Sequence, residues 1–356
     1  MRRRQVVRGG FATAGVLGAL ALAHTLRRIG ARVRWPAERD EYRDENFALI
    51  DEDEPGEVRA DDGVSLATRT YGDDTAEVTL VFVHGFCNSM DSFHFQRRDL
   101  AQQWGPRIRM VFFDQRGHGR SGTPSTDSCT IAQLGRDVAT VIRTCVPKGP
   151  VVLVGHSLGG MAVLAAAAQF PELFATRVVG VALLNTAAAE VTSTGVLQLL
   201  RHPALGVFGL AVRSAPALVQ FGRSASKHVV TPILHVSSFH GPVSPTLSRF
   251  TTMMIDRTPV ATVEKFLKTI ELHDESAALP TLNKLPVLVL GGAHDMVIPF
   301  ENSRLLAEAL PNCELVKIGE GAHMPHLQFP QVTLDALDRL LARAGAESFG
   351  GEAVGG

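Results

Sequence analysis

Three residues far apart in this 356-residue chain have the types needed to cleave an acyl bond. Ser157 lies in Gly155-His156-Ser157-Leu158-Gly159, a G-x-S-x-G string. Asp295 ends Gly291-Gly292-Ala293-His294-Asp295, and His323 ends Gly319-Glu320-Gly321-Ala322-His323. A serine hydroxyl is a weak nucleophile until a base takes its proton, and an imidazole base needs a carboxylate to fix its tautomer. The five-residue string is weak evidence by itself. Its setting strengthens it: an apolar run enters Ser157 and an Ala-rich helical segment leaves it. A sharp strand-to-helix turn would lift the hydroxyl off the sheet and aim the Leu158 amide at a developing oxyanion. The rival readings are a plain glycine-rich turn at Ser157, a helix-lead carboxylate at Asp295, and His326 in place of His323.

Two further glycine-bearing strings flank these residues. His84-Gly85-Phe86 follows an apolar run, so the Phe86 amide can be a second oxyanion donor, with His84 holding the loop. Asp114 to Gly122 reads DQRGHGRSG, and Gly117, Gly119 and Gly122 satisfy G-x-G-x-x-G, with Asp137 twenty residues beyond Gly117. A dinucleotide site is rejected: no helix opens directly after the string, and Asp137 sits within a helical pattern. A structural loop explains the string better.

The elements that must position these residues are legible as apolar runs. Glu57 to Tyr71 predicts two short strands joined at Asp61-Asp62-Gly63. Residues 78–84, 107–114, 150–155, 178–184, 286–291 and 313–318 predict strands covered on both faces, as in a parallel sheet between helices. Helical patterns alternate with them, including Ile131 to Ile142, Leu158 to Gln169 and Ser303 to Leu310. The fold class is therefore α/β with a doubly wound sheet. Asp295 and His323 then fall just past strand carboxyl ends, on the edge that carries Ser157 and where such sheets bind ligands. Residues 187–285 are too long for a loop and predict an inserted, mostly helical cap.

Together these residues resemble the α/β-hydrolase superfamily with a cap, over roughly Glu57 to Ala342. The resemblance implies an eight-stranded, mostly parallel sheet with an antiparallel first hairpin. It implies a triad of Ser157, His323 and Asp295, with the Phe86 and Leu158 amides as the oxyanion hole. The D-x-R-G-x-G-x-S loop of the family is matched by Asp114, Arg116, Gly117, Gly119 and Ser121. Epoxide hydrolases and haloalkane dehalogenases of this fold carry Asp at the elbow, where this chain has Ser157. They also use cap Tyr or a halide-holding Trp; the only Tyr residues here are Tyr42 and Tyr71, and the Trp residues are Trp35 and Trp104. Both reactions are disfavoured. The expected activity is ester hydrolysis through an acyl-enzyme. Carbon–carbon or amide hydrolysis, perhydrolysis, and a non-catalytic ligand-binding protein are the alternatives. The chemistry needs no metal or organic cofactor. The expected substrate is a small ester or lipid-like molecule. Phe208, Phe221, Phe239, Phe250, Met253, Met254 and Phe266 offer an apolar lining, unless they build the cap's own core.

Composition limits the partners. With 35 basic and 36 acidic residues, the near-neutral chain has no global footprint for nucleic acid. Cys87, Cys129, Cys145 and Cys313 have neither zinc spacing nor the density of a disulfide framework. Residues 1–36 hold an uncharged run, Gly9 to Leu26, between Arg-rich flanks. At 1.5 Å per residue the run spans roughly 27 Å, just short of a bilayer core. The flanks favour a signal anchor, hence a membrane-associated or exported protein. A cleaved twin-arginine-like leader and a terminal helix of a cytoplasmic protein are the alternatives. Residues 37–56 are acidic and predict a solvated linker; residues 57–186 and 286–343 form the core; the glycine-rich tail 344–356 predicts disorder.

Overall fold

A computed structural model describes residues 40–190 and 237–345. Eight strands form one sheet: β1 (Glu54–Arg59), β2 (Ser65–Tyr71), β3 (Val78–Val83), β4 (Ile108–Phe113), β5 (Val151–His156), β6 (Val178–Leu184), β7 (Val287–Gly292) and β8 (Cys313–Ile318). Their spatial order is β1-β2-β4-β3-β5-β6-β7-β8. β2 pairs antiparallel with β1 and β4, and β3 to β8 are mutually parallel. Gly63 takes φ 84° in the β1–β2 turn, a conformation that glycine adopts without strain.

Strand periodicity divides the core between the two faces of the sheet. Val81, Val83, Leu153, Val181 and Val289 point to one face. There they meet α2 (Ile131–Cys145) and α3 (Leu158–Gln169), followed by α4 (Pro171–Thr176). Leu80, Phe82, Val152, Val154 and Leu288 point to the other, against α1 (His94–Trp104) and the C-terminal helix Pro330–Arg343. β8 departs from the expected continuous burial, with only Ile318 fully buried among its six residues. It is an edge strand, so one flank and part of its faces meet solvent.

The interval between β6 and β7 is described over residues 185–190 and from residue 237 onward. It contains α5 (Pro245–Arg257), α6 (Val260–Glu271) and α7 (Leu279–Leu282). The α5 side chains Leu247, Phe250 and Met254 pack with Phe95, Met324 and Leu327. Phe266 and Ile270 of α6 join the main core, and Thr262 donates to the Gly117 carbonyl at 3.0 Å. These helices therefore rest on loops that follow β3, β4 and β8. Phe250, Met254 and Phe266 are buried in this packing, whereas Met253 is exposed. Phe208 and Phe221 lie outside the described residues, as do the N-terminal segment 1–36 and the tail from 346. Among the described residues no helix is long and apolar enough to cross a membrane.

The acidic lead-in corrects the expectation of a solvated linker. From Asp40 onward it is docked. Phe47 stacks on Phe250 with ring centroids 4.3 Å apart, and Ile50 is buried. Glu45 pairs with His94 and Arg98, Asp53 with Arg97, Asp51 with Arg120, and Asp40 accepts from Thr246. The carboxylates thus face a matching set of cations and donors, and the apolar residues between them supply the packing. The chain then completes the fold with α8 (Phe300–Glu308), α9 (Pro325–Gln328) and α10 (Pro330–Arg343).

Candidate active site

Ser157 sits between the last residue of β5 and the first of α3, at φ 53° and ψ −117°. A non-glycine residue there costs of order 1–3 kcal/mol and persists only where its surroundings over-determine it. They do. Its N–H donates to the Leu184 carbonyl at 2.9 Å, and its own carbonyl accepts from the Thr186 hydroxyl at 2.8 Å. Space is equally tight: a Cβ at Gly159 would lie 2.0 Å from the Val83 carbonyl oxygen. One at Gly155 would lie 2.7 Å from the Gly160 Cα, so strand and helix meet only because these positions lack side chains.

His323 and Asp295 complete a hydrogen-bonded series with this serine. His323 Nε2 lies 3.0 Å from Ser157 Oγ, and His323 Nδ1 lies 2.8 Å from Asp295 Oδ2. An ionised carboxylate only accepts, so Nδ1 carries the proton and Nε2 is free to accept from the serine hydroxyl. The remaining capacity of Asp295 is used as well. Its Oδ1 accepts from the amides of Val297 and Ile298 at 2.8 and 3.0 Å, and its Oδ2 from Asn185 Nδ2 at 2.5 Å. Ser157 and His323 are both largely buried, with 6% and 9% exposure.

Three supporting residues were not assigned a role from the sequence, although His156 lies inside the serine string. Asn185, at φ 46° just past β6, ties Asp295 to the Ala322 carbonyl (3.0 Å). Thr186 holds the Ser157 carbonyl. His156 donates from Nε2 to the His323 carbonyl at 2.8 Å, and burial drives its pKa well below the ordinary histidine value. Their one legible signal was position: each lies at or just past a strand carboxyl end.

The Phe86 amide lies in a turn closed by the Asn88 N–H to Gly85 carbonyl bond (3.3 Å) and has no acceptor among the described residues. The Leu158 amide opens α3, where first-turn N–H groups have no intrahelical partner. A Cβ at Gly85 would lie 3.2 Å from the Ser157 Cβ, which measures how closely this turn approaches the serine. His84 holds the loop, as expected. Its Nε2 accepts from the Gln115 N–H at 2.9 Å, its Nδ1 donates to the Gly85 carbonyl, and burial lowers its pKa to about 4.

The rivals fall elsewhere. His326 is fully buried against the His156 ring, both ring nitrogens lack partners among the described residues, and burial lowers its pKa to about 3. Asp137 forms a buried bidentate pair with Arg116 at 2.6 and 2.7 Å. Asp114 accepts from the amides of Met90 and Arg120. The glycine-rich loop is thus braced internally.

The geometry agrees with family membership. A family model described as alpha/beta hydrolase fold matches residues 78–330. The chain belongs to this family. Among individual members, the hydrolase YugF of Bacillus subtilis is 27% identical over 273 residues, covering 76% of this chain and 92% of that protein. The monoacylglycerol lipase of Mycolicibacterium smegmatis is 24% identical over 252 residues, covering 69% and 80%. A thermophilic esterase from Thermogutta terrifontis superposes with a TM-score of 0.63 at 20% identity, covering 82% of this chain and 99% of its own. The alpha/beta hydrolase assignment makes this chain a hydrolase.

Proposed function

We propose that this alpha/beta hydrolase cleaves a carboxylic ester with an apolar acyl group. His323 Nε2 takes the proton of Ser157, whose oxygen attacks the ester carbonyl. Asp295 fixes the tautomer and stabilises the imidazolium. The amides of Phe86 and Leu158 hold the tetrahedral oxyanion. Collapse expels the alcohol, which receives the proton from His323. Water then attacks the acyl-enzyme with His323 again as base, releasing acid and free serine.

The observation that carries this reading is the Ser157–His323–Asp295 series at a serine of positive φ. Similarity to an esterase and a monoacylglycerol lipase supports an ester, and the latter a lipid-like one. Ser157→Ala should lower turnover of aryl esters by roughly four to six orders of magnitude with the fold intact. Near-normal turnover in that variant would remove Ser157 from the mechanism. A series of esters of increasing acyl length, run beside aryl amides and diketones, tests the substrate class: kcat/KM should rise with chain length and stay highest for esters. The apolar run at residues 9–26 would hold this activity at a membrane. Recovery of the enzyme in the membrane pellet with that run intact supports attachment, and a wholly soluble protein opposes it.

A further inference from the structure

A second group of chemistry-bearing side chains lies beside the catalytic loops and takes no part in the steps above. His240 belongs to the segment ahead of α5, His294 follows β7, and Glu320 follows β8. One ligand atom from each lies within 4.8 Å of the other two. The two imidazoles are stacked, with centroids 3.7 Å apart and planes 14° from parallel. Glu320 Oε2 is 3.7 Å from His240 Nε2, beyond hydrogen-bond range, so this is not a simple His–Glu bond.

The backbones beneath these side chains are fixed. The His294 N–H donates to the Gly321 carbonyl at 2.8 Å, which ties the β7 and β8 loops together. The His240 N–H donates to Gln328 Oε1 at 3.4 Å, and the Gln328 amide donates back to the His240 carbonyl. Metal–ligand distances are about 2.0–2.2 Å, so binding would turn these side chains from the stacked arrangement toward a common point.

We propose that His240, His294 and Glu320 bind one divalent transition-metal ion of the zinc class, with its remaining positions open to water. Two imidazole nitrogens and one carboxylate oxygen suit zinc, whereas calcium and magnesium prefer sets made of oxygen. The ion would bridge three segments. One of them also lends the Ser237 and Ser238 carbonyls to the amides of His323 and Met324. Binding would thus tether the described end of the inserted region to the loops that carry Asp295 and His323. No sequence spacing reveals the site, because its three residues come from three separate loops.

Titration of zinc chloride into the untagged full-length protein by calorimetry tests this. One zinc per chain should bind. His240→Ala and His294→Ala should each weaken that binding by at least about tenfold while keeping the metal-free melting temperature and circular dichroism. Calcium and magnesium should give no saturable heat. Should an alanine variant fail to fold, Glu320→Gln carries the same expectation. Absence of saturable zinc binding, or an affinity unchanged in any folded variant, overturns the proposal.

Discussion

Asp295 Oδ2 accepts two hydrogen bonds, one from His323 and one from Asn185, and that sharing decides how well the imidazole is aimed. Asn185 also holds the Ala322 carbonyl, the residue before the base. It is a positioning residue, so Asn185→Ala should lower kcat roughly ten- to hundredfold by loosening the imidazole, with KM nearly unchanged. A rise in KM at constant kcat would place Asn185 in substrate binding instead. Ser157, Asp295 and His323 were legible in the sequence because each lies in a glycine-bearing string that follows a predicted strand. Asn185 and Thr186 were not, nor was the role of His156 inside the serine string. An asparagine that bridges two loops looks, in one dimension, like any polar residue that ends a strand.

At the scale of elements, the elbow depends on how closely β5, α3 and β3 approach. The missing side chain at Gly159 is the tightest requirement, since an added Cβ would meet backbone rather than a yielding side chain. Gly159→Ala should therefore destabilise the fold by at least about 3 kcal/mol or abolish soluble expression. Gly135→Ala, where a Cβ would lie 2.7 Å from the Ala165 backbone, should cost about 1–3 kcal/mol, read as a shift in denaturation midpoint at unchanged slope. The central strands were legible because burial on both faces leaves unbroken Val, Leu and Phe runs. β8 shows the limit of that signal: Glu314 and Lys317 interrupt its apolar residues, and at the edge of the sheet only Ile318 is buried. The acidic lead-in differs from its sequence expectation for the converse reason. Its carboxylates appear solvated in sequence, and their partners Arg97, Arg98, Arg120 and His94 lie far along the chain.

Across the whole molecule, the lead-in links the inserted region to the core. Phe47 touches both Phe250 of α5 and Phe95 of α1, so Phe47→Ala should lower stability by about 1–3 kcal/mol and loosen both attachments. Proteolysis near α5 should accelerate in that variant; an unchanged cleavage rate and denaturation midpoint would contradict the link. The buried histidines set a pH dependence. Burial holds His84 at about 4 and His118 and His326 at about 3, below the ordinary value of 6.5. The unfolded chain therefore takes up protons first as pH falls. Stability from these residues is full above about pH 6.5 and is lost progressively below it, by up to about 1.4 kcal/mol per pH unit for each. Glu275, raised to about 7 by burial, opposes this, as do Asp91, Asp114 and Asp137, which burial also raises, while His94, His156 and His273, lowered by burial, add to it. The melting temperature should fall from pH 7 to pH 5, and a flat or rising profile would contradict neutral burial of these rings.

The central claim is that Ser157 becomes covalently acylated. Peptide mass spectrometry after treatment with a fluorophosphonate, which reacts with an activated serine as an ester would, tests it most directly. The adduct should map to Ser157 in the native protein, and labelling should vanish in Ser157→Ala and fall sharply in His323→Ala. An unlabelled Ser157 in a protein that still hydrolyses aryl esters would contradict the account.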